Sequence, residues 1–387
     1  MATALVKPVG DRCNLRCRYC FYRPGTGASG AVMDRHVLRA MTRQFLAAGD
    51  SPVVFAWQGG EPTLAGIDFY RAAVGLQQQL TRPGQAVANA FQTNGVLIDD
   101  AWAEFLASNR FLVGLSIDGP ADLHDAARRS AGGAPSHDAA VRAWHLLRKR
   151  QCEVNALCVV HDANCTRAGE VYRYLTDELG AGYLQFIPCI PPPAGSAGFS
   201  LPSPLGVDEQ GDRLPVGAYG RFLTDLFECW VAERSRSISV KLFDDLVLFL
   251  AGKPMRDCMF RATCDSHLVV ERDGSVYPCD FFVSEQHRLG SIADQPLTEI
   301  REGAAEFRDR KQRERPQACR DCRYLDICQG SCPRFWQADS AGVWRQALCE
   351  DIRFFLDHCR GKLEEMARAV QARWRQDPGT GRPPGPT

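Results

Sequence analysis

The chain has 387 residues, 45% of them hydrophobic and 24% charged, which suits a globular enzyme with one large core or two unequal ones. Lys plus Arg and Asp plus Glu both number 46, so no net field draws the protein to nucleic acid or to an anionic membrane. The start, MATALVKPVGDRC, lacks the apolar core of a secretion signal, and no apolar run is long enough to span a bilayer; a cytoplasmic protein without nucleic-acid or membrane partners is expected.

From the start to about residue 188, short β-rich runs alternate with segments of helical period. The strands are ALVKPVG, VVFAW at 53–57, AVANAFQT, FLVGLSI at 111–117, EVNALCVV at 153–160 and YLQFIP at 183–188. Between them DRHVLRAMTRQFLAAG, AWAEFLASN and SHDAAVRAWHLLRKR carry apolar residues three and four apart. Six such alternations predict parallel βαβ units with right-handed crossovers, an α/β fold built as an open, partial (β/α)6 barrel of TIM type. Functional loops of that fold gather at the C-terminal ends of the strands.

The stretch 189–215 holds six prolines and reads equally as a lid over the barrel mouth or as a linker. Helices are expected at 217–233 and 240–250, and HLVVERDGSVYP reads as a hairpin turning at Asp273-Gly274. The segment Glu299 to Arg323 mixes both signs of charge and is read as a solvated helix face. A last helix fits 350–374, followed by a disordered tail, DPGTGRPPGPT. The expected division is a barrel over 1–235, a second domain over 236–374 and the tail at 375–387.

Seventeen cysteines in a reducing compartment point to metal or catalytic roles rather than to disulfides. Three form C-x3-C-x2-C at Cys13, Cys17 and Cys20, directly after the first strand. Three thiolates can hold three irons of a [4Fe-4S] cube and leave the fourth open; a zinc knuckle, the alternative, needs a fourth ligand, and His36, the nearest histidine, sits on a predicted helix. Eight more lie at Cys258, Cys264, Cys279, Cys319, Cys322, Cys328, Cys332 and Cys349, the number needed for two fully ligated clusters. A zinc ribbon on Cys319, Cys322, Cys328 and Cys332 would leave the other four without a function.

Other residues stand at strand ends. Gly59, Gly60 and Glu61 in WQGGEPTL follow the second strand; Thr93 and Asn94 in QTNG and Ser116 and Asp118 in SIDG end the third and fourth. The two glycines let backbone approach a ligand and Glu61 can accept from an ammonium group, whereas Thr93, Asn94, Ser116 and Asp118 read equally as turn or helix-cap residues. In VYPCDFF the carboxylate of Asp280 stands beside the thiol of Cys279, and an acid capping the turn after the hairpin is its plainer reading.

The triad and the GGE turn resemble the radical S-adenosylmethionine (AdoMet) superfamily, in which the open iron chelates the cofactor's amine and carboxylate. That resemblance implies AdoMet contacts from Gly59, Gly60, Glu61, Thr93, Asn94, Ser116 and Arg128, and packing of Leu184 on the adenine, although the plainer reading of Leu184 is a core leucine. The eight later cysteines resemble the SPASM domain, whose interleaving assigns Cys258, Cys264, Cys279 and Cys332 to one auxiliary [4Fe-4S] cluster and Cys319, Cys322, Cys328 and Cys349 to the other. FAWQGGEPTLAG, FQTNGVLID, FLVGLSIDGP and DGSVYPCDFF together resemble the anaerobic sulfatase-maturating enzymes. The segment around 125–140 departs from that pattern. Implied are three [4Fe-4S] clusters, an electron donor such as flavodoxin or ferredoxin, and oxidation of a Cys or Ser in a sulfatase polypeptide to Cα-formylglycine. A 5′-deoxyadenosyl radical would take a hydrogen from Cβ, with Asp280 as base and Tyr22 and Gln58 as substrate contacts. A maturase that crosslinks ribosomally made peptides is the alternative.

Overall fold

The computed structural model describes residues 2–22, 31–49, 51–189, 214–233, 237–338 and 344–376. Most of the proline-rich stretch and the tail beyond residue 376 lie outside the described residues, and with them the lid, linker and disordered-tail expectations.

Six parallel strands form as the apolar runs dictate: β1 (Ala2–Lys7), β2 (Val53–Trp57), β3 (Val87–Thr93), β4 (Leu112–Ser116), β5 (Glu153–Val160) and β6 (Tyr183–Pro188). Each pairs with its successor in sequence, so the sheet grows in one direction and curls as a partial barrel. β5 alternates buried and half-exposed positions with helices on one side, and its inward face is Val154, Ala156, Cys158 and Val160. Helices Arg35–Ala48, Ile67–Leu80, Asp100–Ser108 and His137–Lys149 fill crossovers between them. Asp34 and Asp99 start two of these helices by accepting from His36 N (2.6 Å) and Trp102 N (2.9 Å). The helix Ile67–Leu80, with little amphipathic signal in its QQQ end, is not among the sequence expectations.

The sheet does not stop at the barrel. β7 (Ser239–Val240) adds to β6 at one edge. At the other, β8 (Leu268–Glu271) lies parallel to β1, and β9 (Ser275–Tyr277) and β10 (Gly290–Ser291) follow antiparallel, ten strands in all. The hairpin turn carries Gly274 at φ 88°, a conformation that favours glycine. The cysteine-rich C-terminal region is thus hydrogen-bonded into the barrel sheet through β1, and Lys7 and Glu271 are register partners.

Helices Ala218–Ala232, Lys241–Leu250 and Cys349–Gln376 close the other end of the sheet. Phe243 stacks on Phe355 at 5.6 Å and meets Phe227 edge-on at 5.2 Å. Gly220 is needed here: a Cβ would stand 2.5 Å from Asp351 O, and its N–H donates to Asp351 Oδ1 at 2.8 Å. The segment 299–323 is helical, but it is not wholly solvated, because Phe307 and Lys311 on helix Ala305–Arg313 are buried.

Candidate active site and cluster sites

Cys13, Cys17 and Cys20 lie on the loop after β1, and the surrounding backbone fixes that loop from two sides. On one side the GGE turn after β2 docks against it: Gly60 N donates to Gly10 O (2.8 Å) and Glu61 N to Arg12 O (2.7 Å). A Cβ on Gly60 would stand 1.9 Å from Arg12 O, and one on Gly59, at φ 123°, 2.9 Å from Gly10 O. The two glycines therefore let backbone approach the cysteine loop itself, closer than any side chain permits. On the other side Arg16 N donates to Arg129 O (2.7 Å) and Arg18 N to Ala127 O (2.9 Å). The segment around 125–140, which departs from the family pattern, is thus a wall of the cysteine loop.

Glu61 is buried and accepts four hydrogen bonds. Oε1 takes Thr63 N (3.0 Å), Thr63 Oγ1 (2.6 Å) and Thr93 Oγ1 (2.7 Å), and Oε2 takes Asn94 N (2.8 Å). Burial raises its pKa and these bonds oppose the rise. Glu61 thereby ties the turn after β2 to the turn after β3, and Asn94 Nδ2 continues the chain to Asn14 Oδ1 (2.8 Å) beside Cys13.

Ser116 ends β4, and Asp118 just beyond it is fully buried. Arg128 grips Asp118 through Nε (2.8 Å) and Nη2 (3.2 Å), Tyr19 donates to the same carboxylate, and Val159 N donates to Oδ1 at 2.8 Å. Burial works to raise the Asp118 pKa, but Arg128 outweighs it and the carboxyl stays below its usual range. The guanidinium also faces Cys17, whose thiol burial pushes up to about 11 against the pull of Arg128. His124 Nδ1 accepts Asp118 N (3.3 Å), and its Nε2 meets Ser136 Oγ (3.1 Å), whose own hydrogen goes to Arg128 O (2.8 Å). That pattern fixes a neutral His124 with hydrogen on Nε2.

Leu184 is the second residue of β6 and is fully buried, with Ala156 and Val240 as its register partners.

Asp280 follows β9 and turns toward the barrel. Gln58 Nε2 donates to its Oδ2 at 3.0 Å, and Lys7 Nζ pairs with its Oδ1. Lys7 is 1% exposed, lies 3.7 Å from Glu271 Oε1 and 3.4 Å from the centre of the Tyr22 ring, and Tyr22 donates to Glu271 Oε1 at 2.6 Å. Asp280, Gln58 and Tyr22, singled out from separate segments, thus meet around one buried lysine. Lys7 and Glu271 escaped sequence reasoning; the signal was available for Lys7, which ends β1 as Ser116 ends β4.

The eight later cysteines fall into two groups by mutual electrostatic interaction. Cys258, Cys264, Cys279 and Cys332 act on one another, and so do Cys319, Cys322, Cys328 and Cys349. Burial pushes Cys13 and Cys328 up to about 12 and Cys258 and Cys332 to about 11. Buried thiols of this kind ionise only when a metal takes the thiolate, and that suits a cluster site.

The profile of the Radical SAM superfamily matches residues 8–164, and that of an iron-sulfur cluster-binding domain, SPASM, matches 258–323. Fold and thiol-bearing loops together define a radical AdoMet enzyme with a SPASM region. A cysteine-type anaerobic sulfatase-maturating enzyme of Clostridium perfringens (strain 13 / Type A) is 33% identical over 376 residues, 95% of this chain and 98% of that enzyme. A serine-type anaerobic sulfatase-maturating enzyme of Klebsiella aerogenes is 34% identical over 359 residues, 91% of this chain and 84% of that one. The solved structure of native anSMEcpe with bound AdoMet superposes with a TM-score of 0.86 at 32% identity, covering 96% of this chain and all of that one. The chain belongs to the anaerobic sulfatase-maturating enzymes.

Proposed function

We propose that the protein oxidises a Cys or Ser side chain of a sulfatase polypeptide to Cα-formylglycine. The carrying observation is Asp280, a carboxylate directed at the barrel mouth by Gln58 and Lys7 while its chain neighbour Cys279 belongs to a thiol group. Three [4Fe-4S] clusters and AdoMet supply, when bound, one-electron reduction and a 5′-deoxyadenosyl radical able to take hydrogen from the substrate's Cβ. Cys13, Cys17 and Cys20 hold the first cluster; Cys258, Cys264, Cys279 and Cys332 hold the second, and Cys319, Cys322, Cys328 and Cys349 the third. Gly59, Gly60, Glu61, Thr93, Asn94 and Ser116 form the cofactor's edge of the mouth, and Arg128 acts there from its seat on Asp118.

After hydrogen abstraction the substrate must lose one electron and one proton to become a thioaldehyde from Cys, which water hydrolyses, or an aldehyde from Ser. Asp280 accepts that proton, and Gln58 and Tyr22 orient the peptide against it. The electron leaves toward the thiol group of the adjacent Cys279, so proton and electron part at neighbouring residues. A flavodoxin or ferredoxin would be the electron donor, and Cys13, Cys17 and Cys20 would hold the cluster that it serves. Among the described residues no helix is long and apolar enough to cross a membrane, and the thiol content suits the cytoplasm. The barrel of residues 1–235 and the auxiliary region of 236–374 work as two parts of one sheet.

Mass spectrometry of peptides bearing a C/S-x-P/A-x-R motif, incubated anaerobically with reconstituted protein, AdoMet and reductant, tests the reading. Conversion to the aldehyde is expected. Steady AdoMet cleavage with an unaltered peptide would defeat it.

A further inference from the structure

Lys311 is the one residue of the charge-rich segment 299–323 whose side chain is wholly inaccessible, at 0% exposure. Its Nζ donates to Met259 O at 2.7 Å, on the short turn Cys258–Phe260. The same helix anchors the loop that carries Cys264, because Cys264 N donates to Arg308 O at 3.0 Å. The groups facing the ammonium are the thiols of Cys264, Cys332, Cys328 and Cys258, and among the described residues no carboxylate pairs with it. Three of those thiols belong to the group that includes Cys279, and Cys328 belongs to the other. An ammonium buried without a counter-charge is strongly unfavourable, and an anion among those thiols would remove that cost. A four-iron cluster with four thiolates is such an anion.

We propose that Lys311 is the fixed counter-charge of the auxiliary cluster held by Cys258, Cys264, Cys279 and Cys332, and that it raises the potential at which that cluster accepts an electron. The proposal rests on the cluster assignment above and adds a positioning residue to the electron exit. Its position also explains the direction of electron flow: a positive charge beside the acceptor stabilises the reduced, more negative state, and this acceptor is the one next to Asp280. Lys311 is a positioning residue that acts through the potential.

The test uses full-length protein, reconstituted anaerobically, in a background of Cys13→Ala, Cys17→Ala and Cys20→Ala so that only auxiliary signals remain. Potentials are read by electron paramagnetic resonance during a redox titration, with iron counted in parallel. Lys311→Met is expected to shift one auxiliary signal at least tenfold toward the oxidised form, about 59 mV for one electron, and Lys311→Arg to stay near the parent. An unshifted Lys311→Met protein that retains about eight irons overturns the proposal. If Lys311→Met loses iron, retention in Lys311→Arg supports the charge, and loss in both, with secondary structure intact, overturns it. Iron near zero in the parent background would defeat the ligand assignment before Lys311 is altered, and the proposal with it.

Discussion

The two thiol-bearing regions are built on opposite plans. The loop of Cys13, Cys17 and Cys20 is local in sequence, and its surroundings are strand-end turns of the barrel: the GGE turn beneath it and the 127–129 backbone beside it. The auxiliary region draws its thiols from a 3₁₀ turn, a post-hairpin loop, two short helices and the first residue of a 28-residue helix. A local loop advertises its chemistry by spacing. An assembled region hides which thiol joins which, because ligands adjacent in space are as much as 74 residues apart, from Cys258 to Cys332. The difference also separates roles: the first loop faces an open mouth, and the second lies behind Asp280.

The strongest way to break this comparison is to remove one thiol from each region. Cys17→Ala should abolish AdoMet cleavage while about eight irons remain, whereas Cys279→Ala should keep cleavage and lose peptide oxidation; iron assay with product analysis decides. Equal loss of cleavage in both would erase the distinction. Next in size, Asp280→Asn should lower formylglycine formation by roughly 10²–10⁴-fold with AdoMet cleavage still measurable, the range expected for a lost general base. Full product formation would return Asp280 to a turn-capping role.

Smaller effects probe the wall of the mouth. Burial pushes the His124 pKa down from 6.5 to about 4, against the pull of Asp118. As pH falls through 6.5 the unfolded chain gains this proton first, so stability present above 6.5 is lost down to about 4, roughly 3 kcal/mol in total. Urea midpoints measured from pH 7 to 4.5 should therefore fall less steeply in His124→Gln than in the parent; parallel slopes would show that other groups govern acid sensitivity. Gly60→Ala forces a Cβ against Arg12 O and should cost about 1–3 kcal/mol. Its first cluster should become labile while auxiliary iron is retained, as an iron count with and without dialysis would show. Uniform iron loss would mean the regions are not separable.

The strand and helix order was legible because short β-rich apolar runs such as Glu153–Val160 are separated by segments such as His137–Lys149 in which apolar residues recur at helical period. Thiol number and spacing identified two metal-bearing regions for a similar reason: cluster chemistry constrains residue type strongly. How deep Leu184 lies along β6 was not legible, since strand membership is a sequence property but depth along the strand relative to the mouth is not. Lys311 was hidden for the opposite reason. Its neighbours are charged and exposed, and only the packing of its helix against the Cys258–Phe260 turn buries it.

By itself the sequence determined the parallel barrel, the three-thiol loop and the clustering of eight further cysteines, because periodicity and thiol spacing act over a few residues. Only the tertiary structure decided that β8 joins β1, which sets Lys7 beside Glu271 and Asp280, and that Arg128 serves Asp118. Those pairings depend on long-range register and burial, where the cost of an unpartnered charge selects the partner, and no local pattern records that choice.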